Sequence, residues 1–337
     1  MTAGTSLVSA AARDLVSTSM GDYVASHPDL RYLFFGGKGG VGKTVMAGAT
    51  ALHLAGMGRR VLLASTNPVH SLSGLLDQDV FGRHTPVEGV DNLWALEIDT
   101  RESIERAKRD IKEKIEWFLK FAEIKTQADE FVGAATTNPA FEESAMFENM
   151  TDLMFADEYD AYVFDTAPTA NARRLLGMSK VYALWVNKMV KSREEAQSLR
   201  ELLSFTKKKE DDPLMTYLVE FQGRISHARE LLTDAERTAF FFVTLPESLP
   251  IAVIRRFISW FTDFGIPVGG VVVNGVIAVD DPASAPEFVR NRMAMQAQHL
   301  EEVRSEFEGM VRSVVPLGDA DIRGPQMLKE AAAWVFA

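Results

Sequence analysis

Gly36-Gly37-Lys38-Gly39-Gly40-Val41-Gly42-Lys43-Thr44 follows the apolar run Tyr32-Leu33-Phe34-Phe35 and opens onto a helical stretch from Val45 to Leu54. Strand, glycine-rich turn and helix, in that order, are the setting in which a phosphate-binding (Walker A) loop works. The glycines let successive backbone N–H groups converge on phosphate oxygens, and the helix N-terminus adds positive potential. In that reading Gly37, Lys38, Gly39, Gly40, Val41, Gly42, Lys43, Thr44 and Val45 surround a nucleotide's phosphates. By position Lys43 reaches the β- and γ-phosphates, and the Thr44 hydroxyl binds Mg²⁺. A chance glycine-rich turn would lack this context on both sides. The loop also carries a second lysine, Lys38.

Outward from the loop, short apolar runs recur between helical patterns: Tyr32–Phe35, Val61–Ser65, Leu93–Ile98, Ala161–Phe164, Phe240–Thr244, Val268–Asn274 and Ser313–Pro316. They are near-continuous rather than alternating, as strands buried on both faces should be. The spacing predicts an α/β fold of the P-loop NTPase kind, a mostly parallel sheet flanked by helices. Two gaps are too long for simple crossovers, and their helix-like spacing, for example Ile111, Ile115, Phe118 and Leu119, predicts a helical subdomain built from insertions 101–157 and 172–237. Residues 1–28 read as an extra N-terminal helix with Leu7, Ala11, Leu15 and Val16 on one face, and 29–337 as the nucleotide-binding domain.

The chain has 337 residues, and 36 basic against 47 acidic side chains give a formal charge of −11. That balance argues against nucleic acid as the main partner. It has no cysteine, so disulfides, thiolate metal sites and thiol chemistry are excluded. No run of 18 apolar residues is present to span a bilayer, and the first 30 residues lack a signal-like apolar core. A cytoplasmic protein is the simplest expectation.

Two further segments carry chemistry. Ser65-Thr66-Asn67-Pro68-Val69-His70-Ser71-Leu72-Ser73 follows the second strand, and Asp165-Thr166-Ala167-Pro168-Thr169 follows the fourth. Both lie at carboxyl ends of strands, where open α/β sheets bind ligands. Asp165 closes Tyr162-Val163-Phe164, the placement of a Walker B carboxylate that holds Mg²⁺ through water. Thr166, Ala167, Pro168 and Thr169 can then follow the presence and loss of a γ-phosphate.

Taken together, these segments resemble the P-loop, switch I and switch II of the ArsA and guided-entry ATPase family. The likeness extends to Asp91-Asn92-Leu93-Trp94-Ala95-Leu96-Glu97-Ile98-Asp99, Leu245-Pro246-Glu247-Ser248-Leu249-Pro250 and Gly265-Ile266-Pro267-Val268-Gly269-Gly270-Val271-Val272-Val273-Asn274. The resemblance implies ATP or ADP with Mg²⁺ as cofactors and a homodimer in which Lys38, the mark of the deviant Walker A pattern, reaches the partner's nucleotide. It implies that Asn274 bonds adenine and that Pro316, Leu317 and the following residue begin a loop over the base; a polar cap on a strand end is the other reading of Asn274. The function implied is an ATP-hydrolysing switch of the bacterial pump-driving type, coupled to a membrane protein partner. A targeting factor for tail-anchored or other hydrophobic proteins is the alternative cargo reading, and a slow nucleotide-dependent scaffold is a third.

Three departures qualify this. Switch I carries Asn67 where the family usually has aspartate. A neutral amide positions water without accepting its proton, so Asn67 predicts slow hydrolysis. After the switch II Pro-Thr stands Ala170-Asn171 in place of Gly-His, and Asn171 reads equally as a helix cap. The family's arsenite and zinc thiolates have no counterpart here, so no zinc site is expected. Finally, Met146, Met150 and Met154 form a stripe with Phe147 and Phe155; it reads either as helix-on-helix packing or as an adaptable surface for apolar clients.

Overall fold

The structure, a computed structural model, describes residues 14–66, 71–121, 139–166, 213–279, 281 and 283–337. The apolar runs form β1 (Tyr32–Gly36), β2 (Val61–Ser65), β4 (Leu93–Glu97), β5 (Ala161–Asp165), β6 (Thr238–Thr244), β7 (Val268–Val276) and β8 (Val311–Pro316). They pair in parallel in the order β4-β2-β5-β1-β6-β7-β8, and a two-residue strand, β3 (Thr85–Pro86), adds an antiparallel edge beside β4. The mostly parallel α/β fold expected from the sequence is the fold observed. Each anticipated strand lies within about two residues of its observed ends, the ordinary scatter of strand boundaries. The missed edge strand has no periodicity to detect, being only Thr-Pro.

The helices among the described residues are α1 (Met20–Ser26), α2 (Lys43–Gly56), α3 (Ser71–Leu76), α4 (Thr100–Phe121), α5 (Pro139–Ala156), α6 (Pro213–Thr233), α7 (Ser248–Phe264), α8 (Glu287–Glu306) and α9 (Gly324–Val335). Successive strand residues point to opposite faces, so each strand feeds two cores. Leu33, Phe35, Leu63, Val163 and Phe241 pack under α1, α2, α3 and α9. Tyr32, Phe34, Leu62, Phe164 and Phe240 pack under α5, α6, α7 and α8. That two-sided burial explains why the strands read as unbroken apolar runs.

Register lines up an aromatic ladder on the second face. Phe34 pairs with Phe164 on β5 and Phe240 on β6, and its ring stacks on theirs at centroid distances of 4.8 and 4.3 Å. Each such pair contributes about 0.5–1.5 kcal/mol beyond the area it buries. The ladder fixes β1 between β5 and β6, and so fixes where the glycine-rich loop leaves the sheet.

At the amino end, the helix starts at Met20, where Ser19 Oγ accepts from the Asp22 N–H at 3.1 Å. Tyr23 of α1 meets Phe241 edge-on at 5.5 Å, and the Arg312 guanidinium lies 5.1 Å over the Tyr23 ring. This short helix is therefore docked on the sheet. Leu15 and Val16 precede it and pack into the opposite core, while Leu7 and Ala11 lie outside the described residues.

Of the two insertions, α4, α5 and α6 are described. Arg106 of α4 bonds Asn149 of α5, and Arg224 of α6 pairs with Asp152 of α5. Met150 and Met154 are buried in the core beneath α5, so the part of the methionine stripe that can be placed is core packing.

The carboxyl-terminal helix α9 packs on α2, where His53 stacks on Phe336 at 3.7 Å with the rings 8° apart. Burial pushes the His53 pKa below the ordinary imidazole value of 6.5. The neutral ring is thus the form the fold prefers. The stability it contributes is present above the ordinary value and is lost as pH falls through the folded-state value. We expect His53→Phe, which keeps the stack without a titrating group, to flatten the fall in Tm between about pH 7.5 and about pH 5.5, by a few degrees at most because the ring is half-buried. Identical pH slopes for the two proteins would contradict this reading.

Candidate nucleotide site

The loop between β1 and α2 is shaped by backbone conformations that side chains resist. Gly37 has φ 143° and Gly42 φ 94°. A Cβ on Gly37 would collide with the Val243 carbonyl oxygen of β6, and one on Gly42 with the Asn274 amide. The loop therefore lies flat against two neighbouring strand ends. Gly39 and Gly40 instead face open space and are exposed, and their backbone N–H groups have no backbone acceptor among the described residues.

Lys43 and Thr44 open α2. Lys43 Nζ donates to the Lys38 carbonyl oxygen at 3.1 Å, curling over its own loop. Thr44 Oγ1 donates to Asp165 Oδ2 at 2.7 Å, and Ser65 Oγ donates to the same oxygen at 3.2 Å. Asp165 ends β5, between the ends of β1 and β2, and is almost wholly buried. Burial is the main cause raising its pKa; the Thr44 hydrogen bond, the Lys43 charge and the Ser65 hydrogen bond pull the other way, while Glu97 adds to the rise. Burial lowers the Lys43 pKa, against the pull of Asp165.

The residues suit Mg²⁺ with a nucleotide. A hydroxyl and a carboxylate are hard oxygen donors of the kind Mg²⁺ takes, and they meet at hydrogen-bond distance beside a half-buried lysine. Bound Mg²⁺ would neutralise charge on phosphate oxygens; Lys43 and the free loop N–H groups would hold those oxygens in place.

Asn274, near the end of β7, is brought to the loop: its Nδ2 donates to the Val41 carbonyl oxygen at 2.9 Å. Pro316 ends β8 opposite Val276, and the Leu317 N–H donates to the Val276 carbonyl oxygen at 2.8 Å, leaving the Leu317 side chain exposed. These three thus cluster at the same end of the sheet as the loop. Thr166 is tied to β1, its N–H and hydroxyl both donating to the Phe35 carbonyl oxygen at 3.3 and 3.2 Å. Asn67, Ala167, Pro168, Thr169 and Asn171 lie outside the described residues. The Lys38 side chain, partly exposed, makes no hydrogen bond or ion pair among the described residues.

Two residues of this neighbourhood were not anticipated as site members: Ser65, which bonds Asp165, and Glu97, a carboxylate only 1% exposed at the end of β4. Ser65 reads in sequence as an ordinary strand end. Glu97 had a signal, a charged residue inside the apolar run Leu93–Ile98.

The sequence matches the anion-transporting ATPase family over residues 30–336. The chain belongs to that family. Its relatives include an ATPase ASNA1 homolog of Paramecium tetraurelia, 28% identical over 313 residues, covering 91% of this chain and 94% of the relative. The ATPase GET3A of Arabidopsis thaliana is 28% identical over 311 residues, covering 91% and 84%. An arsenical pump-driving ATPase of Acidiphilium multivorum is 32% identical over 269 residues, covering 78% of this chain but 43% of that protein. Membership makes this an ATPase of the ArsA type.

The loop geometry predicts a contrast between glycines. Gly37→Ala should lose at least about 2 kcal/mol of stability through forced backbone strain and weaken ADP binding. Gly39→Ala, with space for its methyl, should stay within about 0.5 kcal/mol of the parent. Denaturant unfolding and ADP titration would check both; equal stabilities would contradict the packing described.

Proposed function

We propose that the chain is an ATP-hydrolysing switch that works as a homodimer and drives a membrane partner. The observation that carries this is the joining of Lys43, Thr44 and Asp165 at one point, with Lys38 adjoining through its carbonyl oxygen and its side chain making no hydrogen bond or ion pair among the described residues. In this reading Lys43 and the loop N–H groups hold the β- and γ-phosphates, and Thr44 and Asp165 hold Mg²⁺, the latter through water. Asn274, Pro316 and Leu317 border the base, and Lys38 reaches the nucleotide of a second copy. A chain with one such loop completes two composite sites only as a dimer. Its match to less than half of the longer pump-driving relative supports that arithmetic.

Hydrolysis is slow in this proposal because Asn67 places water without taking its proton. Positioning and charge stabilisation still supply most of the rate. Hydrolysis then releases the closed state, as γ-phosphate loss does in other nucleotide switches.

The pump-driving reading takes the partner to be an efflux membrane protein, in line with the pump-driving names among the relatives. A second reading, delivery of tail-anchored or other hydrophobic proteins, is favoured by one observation: the chain holds no cysteine to bind soft As(III). Metalloid-stimulated turnover would decide for the first. Recovery of transmembrane segments with the ATP-bound dimer would decide for the second.

Lys38→Ala is expected to abolish nucleotide-dependent association and to lower turnover, read by sedimentation with and without Mg·ATP. An unchanged association equilibrium together with an unchanged rate would refute the shared site. Asn67→Asp should speed single-turnover hydrolysis on the order of 10²-fold. Equal rates would remove Asn67 as the slow element, and ATP binding without hydrolysis in either protein would favour a nucleotide-dependent scaffold.

A further inference from the structure

β7 loses its regular pairing just where it reaches the site. Its register with β6 ends at Val273, opposite Thr244. Against β8 it then slips: Val273 faces Val314 and Val276 faces Pro316, so β7 takes three residues where β8 takes two. The extra residue makes a bulge at Asn274 and Gly275, and Gly275 has φ 70°. A bulge bends its strand, re-aims the side chain it carries and takes backbone groups out of the ladder.

One side chain from another element closes on that bulge. Gln296, in the middle of α8, accepts through Oε1 from the Ile277 N–H at 2.8 Å and donates through Nε2 to the Gly275 carbonyl oxygen at 2.9 Å. Its amide thus bonds β7 as a neighbouring strand's backbone would. Gln296 is only 5% exposed. Burying an amide is costly unless it is bonded, and an apolar residue would fill the same place on α8 without that requirement.

The residue that the bulge aims is Asn274. Its Nδ2 donates to the Val41 carbonyl oxygen at 2.9 Å, and a Cβ on Gly42 would meet that nitrogen at 2.4 Å. A carbonyl only accepts, so this contact sets which way round the amide lies. The amide oxygen and the second N–H make no hydrogen bond among the described residues. A donor and an acceptor side by side match the amine and ring nitrogen on an adenine edge.

We infer that Gln296 is a positioning residue for the base: by clamping the β7 bulge it sets Asn274, and so the preference of the site for a nucleotide over a bare polyphosphate. This rests on the proposed reading of Asn274 as a neighbour of the base. It gives Gln296 no part in holding phosphate, because Lys43, Thr44 and Asp165 are placed by hydrogen bonds in which neither Gln296 nor Asn274 takes part.

The test compares the full chain with Gln296→Met, which keeps the volume and loses both hydrogen bonds. ADP affinity, by calorimetry, should fall about tenfold, the worth of one hydrogen bond. Affinity for pyrophosphate with Mg²⁺ should stay within about twofold of the parent. With Asn274→Ala already in place, adding Gln296→Met should cost ADP no more than about twofold further, since the group it positions is gone. In the parent the Ile277 amide, past the end of β7, should be protected from hydrogen exchange, and Gln296→Met should speed its exchange about tenfold. Gln296→Glu keeps the acceptor for Ile277 and loses the donor for Gly275; it should lose about threefold in ADP affinity and carries the comparison if the methionine variant does not fold.

An Ile277 amide unprotected in the parent would overturn the clamp. Faster exchange with unchanged ADP affinity would overturn the positioning role. Equal losses of ADP and pyrophosphate affinity would mark a general structural role instead, and full additivity with Asn274→Ala would overturn the route through Asn274. A parent chain that binds ADP no tighter than pyrophosphate would remove the base from Asn274 and take the role of Gln296 with it, while leaving the phosphate end of the site standing.

Discussion

The Asp165 carboxylate, held by two hydroxyls at the ends of three adjacent strands, is the interaction on which the site depends. Ionised oxygen in an apolar setting costs several kcal/mol unless donors meet it. Thr44 and Ser65 are those donors, and each comes from a different element: Thr44 from α2, after the glycine-rich loop, and Ser65 from the end of β2. One side chain therefore couples the helix that follows the glycine-rich loop to the ends of β2 and β5. The same hydroxyl and carboxylate that stabilise each other in this arrangement are the oxygens that a divalent cation would draw apart.

That coupling is only as good as the sheet beneath it. β1 runs between β5 and β6, and the stacked rings of Phe164, Phe34 and Phe240 lock the three strands in register. The loop that leaves β1 lies against Val243 of β6 and Asn274 of β7 because Gly37 and Gly42 allow it. Stability and function thus meet in the same place: the ladder sets the heights of the strand ends, and the glycines let the loop use them. Glu97 extends the arrangement one strand further, from β5 through β2 to β4.

Much of this was legible in the sequence, for identifiable reasons. The seven main strands are buried on both faces and so leave unbroken apolar runs. Gly-rich spacing and its strand–helix setting located Lys43 and Thr44, and Asp165 was found because it closes such a run. The strand order was not legible, since Thr44 and Ser65 meet Asp165 from 121 and 100 residues away and local pattern carries no such pairing. For the same reason Ser65 reads as an ordinary strand end, and Glu97 shows only as a charge inside an apolar run, with nothing to say what it meets. The methionine stripe was ambiguous because periodicity reports an apolar face without saying what covers it; for Met150 and Met154 the cover is the core. Ser19 caps α1 at Met20, while Leu7 and Ala11 of the expected N-terminal helix lie outside the described residues.

Thr44 and Asp165 offer Mg²⁺ a pair of oxygens, and in the proposed function Lys43 holds phosphate beside them. The most direct measurement is ATP affinity titrated with and without Mg²⁺ in the parent chain and in Asp165→Asn. Mg²⁺ should tighten ATP binding to the parent, and Asp165→Asn should keep its metal-free affinity while losing that increment. An Asp165→Asn protein that retains the full Mg²⁺ increment, or a parent chain indifferent to Mg²⁺, would contradict it.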